Sequence, residues 1–73
     1  MAKEDQGAGP QLGQMVLYNS SGTMVPAVIN QVNANGTVGL YAFLTGGPAQ
    51  ETSVAFNPNA DTVSGSWRYP LFL

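Results

Sequence analysis

The 73-residue sequence contains no cysteine and no histidine, and charge is scarce. Lys3 and Arg68 are the basic residues; Glu4, Asp5, Glu51 and Asp61 are the acidic ones, for a net charge of −2. Without cysteine there is no disulfide framework, no thiol nucleophile and no thiolate metal site. Without histidine there is no imidazole base, the commonest proton-transfer group at neutral pH. Two cations cannot supply the phosphate neutralisation that dominates nucleic-acid affinity, so no nucleic-acid partner is expected. No apolar run approaches the ~20 residues that span a bilayer, so no membrane partner is expected. The opening stretch, Met1 to Pro10, is polar and acidic, unlike a secretory signal.

Catalysis is the weakest function class on these residues. Serine and threonine hydroxyls are plentiful, but a nucleophile needs an adjacent base. Glu51 and Asp61 are carboxylates ten positions apart in turn-rich stretches, which reads as two solvated residues rather than a glycosidase pair. The same two groups fall short of the six to eight oxygens of a calcium site. Gly46-Gly47-Pro48 is followed by neither a lysine nor a helix, so it is no phosphate loop. The expectation is a non-enzymatic binding or structural protein with no cofactor, no metal and no catalytic residues.

What remains is glycine, asparagine, glutamine, serine, threonine, aliphatic residues and seven aromatics. The length allows one domain, and a domain of ~60 residues buries only about 60% of its unfolded surface. Such scaffolds usually need a disulfide, a metal or a partner. Residues 1–11 (MAKEDQGAGPQ) carry no apolar periodicity and are broken by Gly7, Gly9 and Pro10, so they read as a flexible arm. Residues 12–73 read as the single domain.

That domain is a series of short β-like runs. Met15 to Tyr18 is the first, followed by the turn cluster Asn19-Ser20-Ser21-Gly22. Thr23 to Val32 is the second, and Pro26 within it marks an edge, a bulge or a bend. Asn35-Gly36 predicts a tight hairpin turn with positive φ at both central positions. Thr37 to Leu44 is the third run. Val38, Leu40, Ala42 and Leu44 share one face, Tyr41 and Phe43 the other, which predicts a central strand at least partly covered on both sides. Thr45 to Glu51 reads as a loop by composition, Thr52 to Phe56 as a fourth run, and Ser66 to Tyr69 as a fifth. No long stretch has helical periodicity, so no helix beyond a single turn is predicted. The fold class is all-β: a small five-stranded barrel or rolled antiparallel sheet, closed to avoid exposed edges.

Four segments taken together carry a resemblance. They are Gly13-Gln14-Met15-Val16-Leu17-Tyr18, Pro26-Ala27-Val28-Ile29, Asn35-Gly36-Thr37-Val38-Gly39-Leu40 and Gly65-Ser66-Trp67-Arg68-Tyr69-Pro70. In this order they resemble small SH3-like barrel proteins encoded by tailed bacteriophages, over residues 13 to 70. That family closes on Gly-Thr-Trp-His-Trp-Pro, so this chain has Arg68 and Tyr69 at the His and Trp positions and no role of that histidine carries over. The resemblance implies an SH3-like barrel with a virion or accessory role, and the virion is the expected location. The expected function is a capsid decoration or cement protein on the capsid surface, bound to the major capsid protein or another virion protein. The alternative is a small SH3-like adaptor that binds a peptide through an aromatic groove.

Candidate interface residues follow from the residue types. Trp67 and Tyr69 alternate with Arg68, so both rings face one side of a strand and Arg68 the other. Trp67 is either the main core aromatic or part of a docking patch, since aromatics and arginine dominate interface hot spots. Arg68 is placed to pair with Glu51 or Asp61. Leu71, Phe72 and Leu73 are an apolar triplet that either folds back as an edge strand or inserts into a partner. A homo-oligomer is the second partner class. Tyr18, Tyr41, Phe43 and Phe56 are a minor candidate for an aromatic cage.

Overall fold

The computed structural model describes residues 9–70. Five strands close into a barrel in the order β1–β2–β3–β4–β5: β1 (Met15–Ser20), β2 (Thr23–Val32), β3 (Val38–Leu44), β4 (Gly47–Phe56) and β5 (Ser66–Arg68). One 3-10 turn, Ala60–Thr62, leads from β4 into β5. Of the two forms expected, a small five-stranded barrel or a rolled sheet, the closed barrel is the fold. Four of its pairings are antiparallel, whereas β4 and β5 run parallel at Ala55–Ser66 and Phe56–Trp67.

Period-two patterning builds the core. Val16 and Tyr18 of β1, Val25, Ala27 and Ile29 of β2, and Val38, Leu40 and Ala42 of β3 all point inward and are buried. Trp67 of β5 and Val54 of β4 complete the cluster. Small residues (Ala27, Ala42) lie directly opposite each other on β2 and β3. The indole of Trp67 is the largest fully buried side chain.

The turns differ from the expectation in an instructive way. The two-residue turn with both positions at positive φ is Ser21-Gly22, at φ 54° and 98°. At the β2–β3 connection only Gly36 has positive φ, at 91°. Gly36 N–H donates to the Asn33 carbonyl at 3.2 Å and Asn33 N–H to the Thr37 carbonyl at 2.9 Å. The side chain of Asn35 accepts from the Thr37 N–H and hydroxyl instead of occupying a left-handed position. This is a three-residue connection in which glycine alone takes the left-handed place.

Two sequence readings are corrected here. Thr45 to Glu51 is not a loop: only Thr45-Gly46 turns, and β4 already begins at Gly47, pairing through Pro48, Ala49, Gln50 and Glu51 with β3. Loop-like composition was overridden by tertiary pairing. Proline is tolerated in this stretch because β5 pairs with β4 only at Ala55 and Phe56, so the other edge of Gly47–Val54 has no strand beside it among the described residues. The second correction concerns β3. Its outer face is open, with Tyr41 at 41% and Phe43 at 44% exposure.

Gly39 is where the sheet bends. The register of β2 against β3 shifts between Ile29 and Gln31, and that of β4 against β3 shifts between Val38 and Leu40, so both neighbours carry a bulge beside it. Ser53, at φ 56°, is the left-handed residue of the β4 bulge. A Cβ on Gly39 would lie 3.0 Å from Gln31 Cβ and 3.2 Å from Asn30 Oδ1. Over this bare backbone Asn30 and Gln50 exchange two side-chain amide hydrogen bonds, at 2.7 and 3.2 Å, joining β2 to β4 across β3. We expect Gly39→Ala to force apart Gln31 and this amide clasp and to destabilise the barrel by roughly 1–3 kcal/mol, the usual cost of overpacking. Urea unfolding followed by circular dichroism measures it; an unchanged midpoint would refute the tight approach.

Candidate functional site

The distinctive closing segment lies where β4, β5 and the 3-10 turn meet. Trp67 pairs in register with Tyr18 on β1 and Phe56 on β4. Alternation along β5 puts Trp67 and Tyr69 on one side and Arg68 on the other, as the spacing predicts. Phe56 joins the two rings from β4. Ring centroids are 5.0 Å apart for Phe56–Trp67 and for Trp67–Tyr69, and 5.6 Å for Phe56–Tyr69, with edge-on or tilted geometry.

The three rings have different exposures. Trp67 is 1% exposed and belongs to the core, so it does not itself present an interface surface; Phe56 is 46% exposed, and Tyr69 is half-buried. Phe56 and Tyr69 form the outer part of the cluster and Trp67 its floor. Burial pushes the Tyr69 hydroxyl above its ordinary pKa. The indole Nε1–H of Trp67 is buried and has no acceptor among the described residues. Leaving such a donor unpaired costs about 1–3 kcal/mol, so most buried donors in native proteins find a partner.

Arg68, on the opposite side of β5, takes Asp61 as its partner rather than Glu51. Its Nε and Nη2 both donate to the Asp61 carboxylate, the latter at 3.3 Å, and Nη1 donates to the Tyr69 carbonyl at 3.0 Å. Hydrogen bonding from Arg68 holds the Asp61 carboxyl below the usual carboxylate range. The fork geometry orients the guanidinium and ties the 3-10 turn to β5. Because Asp61 is exposed, the pair serves more to fix geometry than to stabilise.

Asn19 belongs by composition to a turn cluster, and in the barrel it is buried. Its side-chain N–H groups donate to the carbonyls of Ala60 at 2.6 Å and Asp61 at 3.2 Å, and its Oδ1 accepts from Gly22 N–H at 2.6 Å. Its own backbone carbonyl accepts from Gly65 N–H at 2.9 Å. One residue thus holds the β1–β2 turn, the 3-10 turn and the entry to β5 together. Only long-range pairing marks it out; no local pattern does.

The other candidates separate in space. Tyr18 is in the core, where burial and the nearby charge of Glu51 raise its hydroxyl pKa. Tyr41 and Phe43 form an edge-on pair, 5.7 Å apart, on the outer face of β3. Phe56 belongs to the Trp67 cluster. The four residues read as an aromatic cage are therefore distributed over three places. Glu51 is half-buried on β4 opposite Leu40, while Asp61 is engaged by Arg68. Leu71, Phe72 and Leu73, and residues 1–8 of the arm, lie outside the described residues. No family model, curated protein or solved structure matches the chain.

Proposed function

We propose that this chain is a structural protein of a bacteriophage particle, a small barrel that docks on the capsid surface as a decoration or cement protein. The resemblance of its four segments to phage-encoded barrels supplies the context. The observation that carries a docking role is the Phe56–Trp67–Tyr69 cluster, whose outer rings Phe56 and Tyr69 are open to solvent over a buried indole floor. A protein partner seated on Phe56 and Tyr69 would cover ring surface that the barrel leaves in solvent. Arg68, oriented by Asp61, borders the same segment, and Leu71-Phe72-Leu73 continues from it. Aromatic residues and arginine are the types that concentrate binding energy at interfaces.

In this reading the barrel is a rigid plug on the major capsid protein or another virion protein. Residues 1–11 and 71–73 reach onto neighbouring subunits. Each copy makes modest contacts, and the repetitive surface multiplies them through effective concentration. The test is quantitative mass spectrometry of purified particles. The expected result is this chain in many copies, with fewer copies per particle after deletion of residues 1–11 or 71–73 and little change in the unfolding midpoint. Absence from particles overturns the proposal, and a soluble partner then recovered by pull-down makes the chain an adaptor. Unchanged occupancy for both deletions removes the arm and the tail from the mechanism.

A further inference from the structure

We propose that Asn35 is a modification site of the folded barrel: its side-chain amide is lost through attack by the Gly36 backbone nitrogen, and Thr37 is the group that activates it. This inference does not depend on the docking role proposed above.

The β2–β3 connection holds a directed chain of hydrogen bonds. Gln31 Nε2 donates to Asn33 Oδ1 at 2.8 Å, Asn33 Nδ2 donates to the Thr37 hydroxyl at 3.0 Å, and that hydroxyl donates to Asn35 Oδ1 at 2.7 Å. The Thr37 backbone N–H donates to the same oxygen at 3.1 Å. Hydrogen bonds aligned head to tail polarise one another. The two final donors draw electron density from the Asn35 amide carbon. They also sit where its oxygen gains negative charge once a nucleophile adds, as the donors of an oxyanion hole do.

The next residue supplies the nucleophile, because the Gly36 nitrogen can close a five-membered ring on Asn35 Cγ. Asn35 and Gly36 are both exposed. Even a Cβ on Gly36 would meet nothing within 4 Å, so the ring has room to form. The Gly36 N–H is held by the Asn33 carbonyl at 3.2 Å, the long end of the hydrogen-bond range. Hydroxide removes that proton. The nitrogen bonds to Cγ, Oδ1 takes the charge, and the Cγ–Nδ2 bond then breaks, releasing ammonia with a proton from water. Water adds to the cyclic imide and opens it at either C–N bond, leaving aspartate or isoaspartate at position 35. One water is consumed and one ammonia released, and nothing is oxidised or reduced. The product carries one more negative charge in a chain whose net charge is −2. Asn57 is an internal control. Its Oδ1 accepts from the Asn59 N–H at 2.8 Å, but Pro58 follows it and has no N–H to give up.

The experiment is storage of the purified full chain in mildly alkaline buffer, followed by intact mass, peptide mapping and isoaspartate detection. The expected result is a gain of one dalton that maps to Asn35 and not to Asn57, while circular dichroism shows the barrel still folded. Thr37→Val should slow the reaction roughly tenfold, less than the loss of a donor costs in a water-excluded site. Thr37→Ser, which keeps the hydroxyl, should react near the wild-type rate. In urea, where these hydrogen bonds are gone, the three chains should react alike. If Thr37→Val does not fold, Asn33→Ala decides: it removes the donor to the Thr37 hydroxyl and should slow the folded protein but not the unfolded chain. No modification at Asn35 in the folded chain, equal modification at Asn57, a folded Thr37→Val or Asn33→Ala variant that reacts as fast as wild type, or a slowing that persists in urea would each overturn the proposal.

Discussion

Replacing Trp67 with alanine is expected to leave the barrel largely unfolded at room temperature. Trp67 is the largest fully buried side chain; it pairs in register with Tyr18 on β1 and packs its ring against Phe56 on β4 and against Tyr69 two residues on. Deleting a buried aromatic of this size costs about 3–5 kcal/mol, which is close to the whole stability that a core this small supplies. β5 is only three residues long, so few other side chains hold the closing strand. Trp67→Phe should do much better. It keeps an apolar ring on the floor of the cluster and removes the indole N–H that has no acceptor among the described residues, recovering part of the desolvation cost. Far-ultraviolet circular dichroism and urea titration measure both variants. If Trp67→Ala folds with a near-wild-type midpoint, the indole is not the keystone of this core.

Substitution at Asn19 should give the second-largest loss. Asn19→Ala removes three hydrogen bonds and leaves the buried Ala60 carbonyl and the part-buried Gly22 N–H without their partner. Hydrogen bonds contribute about 1 kcal/mol each, and an unsatisfied buried group costs about 1–3 kcal/mol, so a loss of roughly 2–4 kcal/mol is expected. Asn19→Asp is the sharper test because it changes charge and not shape. Its carboxylate would still accept from Gly22 N–H but would face the two carbonyl oxygens that now accept from Asn19. That environment raises the folded-state pKa of the introduced acid above its unfolded value. Stability is then highest below the unfolded pKa, about 3.9, and is lost as pH rises through the folded one. Thermal melts from acid to neutral pH should show Asn19→Asp falling progressively below wild type. Parallel profiles for the two proteins would contradict the buried carbonyl pair.

Much of this fold is legible along the chain, and the failures have physical causes. The second run, Thr23 to Val32, coincides with β2 because an apolar, β-branched stretch between two turn clusters is a local signal. The face that Val38, Leu40 and Ala42 share on β3 is legible from period-two spacing. The start of β4 is not: Gly46, Gly47 and Pro48 have the composition of a loop, and only pairing with Phe43 and Leu44 makes Gly47–Pro48 a strand. The openness of β3's outer face also escapes a linear reading, since Tyr41 and Phe43 look like residues that want cover. Whether anything covers them depends on which strands lie alongside. Within the described residues the neighbours supply Val28, Pro26, Pro48 and Gln50 beside them and nothing above.

The same division applies to the site. Residue types and period-two spacing alone put Trp67 and Tyr69 on one side of a strand and Arg68 on the other. They could not choose between Asp61 and Glu51 as the partner of Arg68, because that choice depends on where the 3-10 turn is carried relative to β5. They left Trp67 open between core and surface, because a ring's burial is set by the closure of strands distant in the chain. Asn19 was invisible for the same reason: its bonds reach residues 41 and 42 positions away. What the sequence by itself determined is the all-β class, the shared face of Val38, Leu40 and Ala42 on β3 and the shortage of ionisable chemistry. What only the tertiary structure decided is the bend at Gly39, the keystone role of Asn19, the burial of Trp67 and the exposure of Tyr41 and Phe43. Local backbone and solubility preferences act over two to four residues, whereas burial and polar satisfaction are settled only when strands far apart in the chain are brought together.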